Sequence, residues 1–331
     1  MIISKIKRKN RVYYNLHAEQ CVTGIFIGGV ENGVFVETLT KKTIDRILED
    51  FDIQKKIDLI LDFSNITIFP NNQKHFISTL KRNSKSLTLI NITEEIVAKT
   101  GVDVIKNSNN TKSNKIFKSF FVFEIGSIEF KENHFFEQTF TEYLEKHCKE
   151  PDSGSFYHTS SSVYLTKYID VKSMISDKKG FFIFSIYKLA LKIKKHWLDN
   201  TKKDEKPILI CQNLNSAYIT SILSSFLDLE LLIFDKLGPI DKLYSTLDKK
   251  IVEDKSYIVV SDLVCLGTEI KISKNLITFL GGRYKGNVSI IRIRTLHSKT
   301  KSYEDTECVF ELTKDNNVID YQILTALNTD N

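Results

Sequence analysis

The sequence predicts an α/β protein in two parts, an N-terminal α/β layer domain followed by a doubly wound domain built on a parallel sheet. Three observations carry this. Short strands and helices alternate from Val12 to Thr100, and a second alternation runs from Pro207 to Ile293. Between them lies a change to polar and then aromatic sequence. Third, the stretch from Ser256 to Ile270, "SYIVVSDLVCLGTEI", reads as a buried strand running into an acidic residue, a tight loop and a helix. Alternation of this kind argues for layered α/β structure. A continuous β-branched run bounded by turn residues suits a central parallel strand.

In the first part, the spacing predicts strands over Val12–Leu16, Thr23–Gly28 and Val34–Val36, then a helix over Lys41–Phe51. A strand over Ile57–Phe63, a helix over Gln73–Asn83, a strand over Ser86–Ile90 and a helix over Thr93–Thr100 follow. The basic opening Lys5–Lys9 reads as a solvated end. The polar run Asn107–Asn114 breaks the pattern and is placed as the linker, giving domains over residues 1–110 and 151–331 with a connection over 111–150. Within that connection, Phe117–Phe130 is rich in aromatics and Asn133–Lys149 has helical periodicity; both read as a hairpin and helix covering a sheet edge.

In the second part, an extended piece from Tyr164 leads to an amphipathic helix with apolar Ile183, Ile186, Tyr187, Ala190 and Ile193. The lone Trp197 at its end reads as packing. Pro207–Cys211 forms a buried strand, Gln212–Ser216 a turn, Ala217–Leu227 a helix and Leu229–Phe234 a strand. After a polar excursion over Asp235–Lys255 come the Ser256 strand, the helix Ile270–Leu280 and a strand over Val288–Ile293. Four parallel strands joined by helices make a doubly wound sheet, and ligands of such sheets sit at the carboxyl ends of the strands. Those ends are the turns Gln212–Ser216 and Ser261–Glu269. At the second, backbone N–H groups opening a helix favour an anion such as phosphate, with Asp262 beside them to accept hydroxyls.

Composition narrows the class. Of 331 residues 42% are hydrophobic and 27% charged, which suits a folded chain with two full cores. A net charge of +6 spread along the chain argues against a nucleic-acid role. Five cysteines without a CxxC pair imply reduced thiols and a cytoplasmic chain, and no apolar run approaches bilayer length. His147-Cys148 completes no metal-ligand spacing, so no metal site is expected. Cys211, Cys265 and Ser216 have no base nearby in sequence and do not read as nucleophiles.

The first part resembles STAS domains through "DLILDFSNITIF" (Asp58–Phe69). Family members that act as phosphorylation switches carry a serine in the turn before the next helix; here that turn is Phe69–Gln73, without a hydroxyl. The resemblance therefore implies a docking or self-association module instead. The second part resembles the type I phosphoribosyltransferases, chiefly the orotate branch, over Ser162–Arg294. "YIDVKSMISDKKGFFIFSIYKLALKI" is similar to the hood and first helix, and "PILICQNLNSAYITSIL" falls at the pyrophosphate loop. The Phe234–Ile270 segment matches the flexible loop, return strand and phosphoribosyl-diphosphate (PRPP) loop in order.

The resemblance implies that ribose hydroxyls are accepted at Ser261 and Asp262, with Asp262 the catalytic carboxylate. The 5′-phosphate is held by Cys265, Leu266, Gly267, Thr268 and Glu269, the pyrophosphate side is lined by Asn213, Asn215 and Ser216, and Mg2+ arrives with PRPP. Three departures weaken the PRPP contacts: Ser261 replaces a carboxylate, Leu266 and Glu269 replace small hydroxyl residues, and the pyrophosphate turn has neither glycine nor base. Two functions stay open. One is a regulatory module that binds a nucleotide or ribose phosphate, and assembles with protein partners or with itself through the STAS-like part. The other is an active transferase moving phosphoribose from PRPP to a base or other nucleophile.

Overall fold

The computed structural model describes residues 5–16, 37–51, 57–71, 74–104, 106–112, 115–121, 132–149, 157–158, 163–165, 167–177, 180–199, 205–234, 251, 253–265, 267–294, 305–312 and 323–325. The chain divides into two compact units, Met1–Lys131 and Glu132–Asn331.

The described strands of the first unit are β1 (Lys5–Arg8), β2 (Arg11–Asn15), β3 (Asp58–Asp62), β4 (Ser86–Ile90), β5 (Lys106–Lys112) and β6 (Lys115–Phe121). They form one sheet in the order β1-β2-β3-β4-β6-β5. β2, β3 and β4 run parallel, flanked by antiparallel partners on both sides. Helices α1 (Lys41–Asp50), α2 (Lys74–Asn83) and α3 (Glu94–Thr100) follow the sequence expectation closely. Thr40 and Thr93 each accept a hydrogen bond from the amide three residues on, the ordinary N-cap of a helix. The core gathers Leu59, Leu61, Leu87 and Leu89 from the strands with Ile44, Ile77 and Ile96 from the helices.

Two readings change. The basic opening is not a free end: Ile6 is buried and Lys5 pairs with Asp50, making β1 an edge strand. The polar run Asn107–Asn114 contributes β5, paired along its length with β6, and the units part at Lys131 instead. β5 is the outermost strand of this sheet. The Thr23–Gly28 and Val34–Val36 strands and residues 122–130 of the aromatic stretch lie outside the described residues.

Asp62, at the end of β3, is fully buried. It accepts hydrogen bonds from Tyr13 Oη at 2.6 Å, Asn15 Nδ2 at 3.1 Å, the Ser64 amide at 2.9 Å and Asn91 Nδ2 at 2.9 Å. The three parallel strand ends are therefore tied through one carboxylate, which the low-dielectric interior tolerates only because four donors converge on it.

The second unit opens with α4 (Glu132–His147), then β7 (Cys148–Lys149), β8 (Tyr157–His158), β9 (Val163–Leu165), β10 (Tyr168–Ile169), α5 (Val171–Ser176) and α6 (Phe181–Ile193). A π-helical turn, Lys194–Leu198, extends α6 and carries Trp197. His147 sits between Ser173 Oγ (2.8 Å) and Asp177 (3.2 Å), joining the end of α4 to α5. Then come β11 (Ile208–Cys211), α7 (Leu214–Leu227), β12 (Leu231–Ile233), β13 (Ser256–Val264), α8 (Thr268–Phe279), β14 (Arg283–Ile293), β15 (Thr306–Leu312) and β16 (Ile323–Thr325).

Five strands form an all-parallel sheet ordered β12-β11-β13-β14-β15, one strand more than the sequence reading, which stopped at Ile293. β8, β9 and β16 make a small antiparallel sheet, and β7 pairs with β10. α7 buries Ile219, Leu223 and Leu227, one stripe at helical spacing, while α8 buries Ile270, Ser273 and Ile277. Gly286 is where Trp197 packs: an added Cβ would lie 2.8 Å from Trp197 Cζ2 and 2.5 Å from the Asp305 carbonyl.

Candidate functional site

The site arises because β13 outlasts β11. β11 pairs with β13 only as far as Ile210 beside Val259, while β13 continues along β14 to Val264 beside Arg292. Ser261 and Asp262 thus lie beyond the last pair with β11, where the chain turns into α7. The loop expected over Ser261–Glu269 is correspondingly shorter: apolar Leu263 and Val264 remain in the sheet, paired with β14.

α7 begins earlier than its apolar pattern indicates. Leu214, 83% exposed, opens it. Asn213 is the N-cap in extended geometry, φ −139° and ψ 165°, with its Oδ1 accepting from the Ser216 amide at 2.8 Å. Neither Asn213 nor Asn215 takes a left-handed backbone angle. The cap fixes the first turn, and that turn delivers three donors to one carboxylate. Asn215 Nδ2 donates to Asp262 Oδ2 at 3.0 Å, Ser216 Oγ to Oδ1 at 3.4 Å and Asn213 Nδ2 to Oδ1 at 3.5 Å. The Asp262 amide in turn donates to Ser216 Oγ at 3.1 Å. Only the Asn215 bond has ordinary length; the other two are at the weak limit. A carboxylate has about four acceptor directions, so half-buried Asp262 keeps capacity toward a ligand.

Glu269 stands in the first turn of α8, whose N-cap is Gly267 in the left-handed region, φ 71°, without a side-chain cap. Gln212 Nε2 donates to the Glu269 carbonyl at 3.1 Å, so the two strand-end turns are bonded to each other. Glu269 is exposed at the rim, yet its carboxyl is held above the usual range, first by desolvation within the loop and then by the Asp262 charge. Thr268 is exposed, Cys265 half-buried, and Leu266 lies outside the described residues.

Ser261 does not join this cluster. It is 4% exposed and sits in register with Ser289, on the opposite side of the strand from Asp262. Burial raises the Cys211 thiol, with a partly opposing hydrogen bond from Thr220, which makes it a poor nucleophile. Among the described residues no group of three or more His, Cys, Asp or Glu side chains can hold a metal ion. No described helix is long and apolar enough to cross a membrane. Sequence reasoning missed Gln212 as a site residue; its signal is adjacency to the Asn213 cap, but its partner is 57 residues away.

No known family's sequence model matches this chain, and no curated protein matches it. Among solved structures, the adenine phosphoribosyltransferase of Thermoanaerobacter pseudethanolicus aligns at 16% identity over 51% of this chain and 98% of its own, with a TM-score of 0.37. The orotate phosphoribosyltransferase of Aeropyrum pernix aligns at 14% over 52% and 93%, with a TM-score of 0.36. UMP synthase of Leishmania donovani aligns at 14% over 55% of this chain and 37% of its own, with a TM-score of 0.39. At this level of likeness, function has to be read from this chain's own residues.

Proposed function

We propose that the second unit is a phosphoribosyltransferase-like binding module whose Asp262 cluster takes a ribose-bearing ligand, a nucleotide or ribose phosphate, without turning it over. The observation that carries this is the convergence of Asn213, Asn215 and Ser216 on Asp262, past the end of β11 at the carboxyl edge of a parallel sheet. That edge is where doubly wound sheets bind ligands. A carboxylate flanked by amide groups suits vicinal hydroxyls, because each hydroxyl donates to the carboxylate and accepts from an amide.

Against turnover stand the burial of Ser261, which removes the first acidic position of the fingerprint from the cleft, and the carboxylate of Glu269 where a phosphate would be seated. The first unit, with its STAS-like "DLILDFSNITIF", is proposed as the docking or self-association module through which a ligand-bound state reaches protein partners. Mg2+ would enter with a diphosphate ligand, and among the described residues Asp262 and Glu269 are the carboxylates of the two turns that could contribute to holding it.

Calorimetry of the full chain against PRPP, nucleoside monophosphates and pyrophosphate, with and without Mg2+, tests the proposal. Saturable binding of a ribose-bearing ligand without pyrophosphate release is expected. Pyrophosphate release from PRPP in the presence of a base would establish the transferase instead, and flat titrations throughout would remove the ligand site.

A further inference from the structure

We infer that one edge of the first unit's sheet, where β2, β3 and β4 begin, is a nucleic-acid-binding surface that holds the phosphodiester backbone without reading its sequence. The inference concerns the first unit alone and goes beyond the ligand-site reading above.

The chain's net charge of +6 is spread along the sequence, but the fold gathers cations here. Arg11, Asp58 and Ser86 open β2, β3 and β4 in register. Two backbone hydrogen bonds tie the segments just before them: the Asp58 amide donates to the Asn10 carbonyl at 2.9 Å, and the Lys85 amide to the Ile57 carbonyl at 2.8 Å. Lys7, Lys9 and Arg11 of the β1–β2 hairpin thereby share an edge with Lys85 and with Arg82, in the last turn of α2. β2 and β4, with one strand between them, are about 10 Å apart. Arg11 is half-buried and the other four cations are exposed. None of the five is in an ion pair among the described residues. The neighbouring carboxylates are largely engaged: Asp58 accepts from Ser86 Oγ at 2.7 Å and Asp50 pairs with Lys5, while exposed Glu49 offsets a single charge. The connection 52–56 carries one aspartate and two lysines in sequence, so it does not reverse the sign. Among the described residues no exposed large apolar side chain lies on β1, β2 or α2; Ile68, the exposed one in this unit, follows the opposite end of β3. A membrane-surface element inserts an apolar face, and a protein interface is built on an apolar core. This edge offers neither. A phosphodiester backbone needs cations alone, and contacts to it carry no sequence information.

The test titrates the full chain into fluorescein-labelled mixed-sequence DNA duplex and RNA single strand, followed by anisotropy over a range of salt. The wild type should bind duplexes of unrelated sequence equally, with log affinity falling against log salt at a slope of about −4 to −5, the value for roughly five phosphates neutralised. Lys9→Gln with Lys85→Gln, at two exposed positions on different segments of the edge, should reduce that slope by about two and weaken binding at least about tenfold near 50 mM salt. Lys172→Gln with Lys285→Gln removes the same charge from exposed positions of the second unit and should leave slope and affinity unchanged. Circular dichroism melts establish that both double variants are folded. Absence of binding at low salt overturns the inference, as does an equal loss in the two double variants, which would mean attraction by net charge alone. Tighter binding to vesicles of phosphatidylserine and phosphatidylcholine than to either nucleic acid would also overturn it and assign the edge to a lipid surface. Each of these failures leaves the Asp262 ligand-site reading untouched, because neither substituted pair touches that cluster.

Discussion

Ser261→Asp would place two successive acidic residues in β13, the pair that the resemblance to phosphoribosyltransferases implies, and it should damage this protein. Ser261 is 4% exposed, inside the β13–β14 pairing, and its register neighbour Ser289 has a buried hydroxyl with no hydrogen-bond partner among the described residues. A carboxylate placed there has two options. Staying protonated at pH 7 against an ordinary value near 3.9 costs about 4 kcal/mol, roughly three units at about 1.36 kcal/mol each. Ionising costs several kcal/mol of desolvation, partly offset by about 1.5–3 kcal/mol from a hydrogen bond donated by Ser289. The two routes together bound the loss at about 2–4 kcal/mol at pH 7. A carboxyl whose folded-state value is raised is tolerated when protonated and increasingly destabilising as pH rises. The loss should therefore shrink toward about 1 kcal/mol at pH 4, leaving mainly the extra volume. Trp197, the only tryptophan, lies in the second unit and reports its unfolding in urea by fluorescence. Wild-type stability of Ser261→Asp at pH 7 would refute the reasoning, because the position would then be wet and the fingerprint's first carboxylate could reach a ligand.

Three further outcomes follow from other parts of the molecule. Asp62→Ala leaves four donors around a fully buried position and should cost the first unit about 3 kcal/mol or more, read as faster hydrogen exchange in β3 and β4. Glu269→Gln should raise the melting temperature at pH 7 and leave it unchanged near pH 4: the native carboxyl is held high, so its unfavourable term appears only as pH rises through its folded-state value. Residues 132–331 expressed alone should melt cooperatively with a Trp197 transition, whereas a fragment cut at residue 110 should expose the β6 edge and aggregate, since β5 and β6 are one hairpin.

Much of the fold was legible because burial writes itself as apolar runs. The strand opening at Ser256 and the helices at Lys41 and Lys74 agree with their apolar patterns to within a few residues. What failed did so where tertiary context decides. Asn107–Asn114 has the composition of a linker, and only pairing with β6 makes its residues up to Lys112 a strand. The start of α7 was hidden because Leu214 faces solvent and the cap is a local hydrogen bond that composition does not reveal. Asp262 was legible as an acidic residue ending a buried strand. That Ser261 beside it is sealed into the sheet, and that Glu269 is bonded through Gln212 to the opposing turn, depends on contacts between segments far apart in sequence.

Whether Asp262 is the ligand-binding carboxylate proposed above is tested most directly by a paired titration of wild type and Asp262→Asn with ribonucleosides, nucleoside monophosphates and ribose 5-phosphate. Thermal melts followed at Trp197 confirm that both proteins are folded. A saturable wild-type signal is expected for at least one of these, weakened about ten- to a hundredfold in Asp262→Asn through the loss of about 1.5–3 kcal/mol of hydrogen bonding to a charged group. Equal binding by the two proteins, or flat titrations in both, would contradict it.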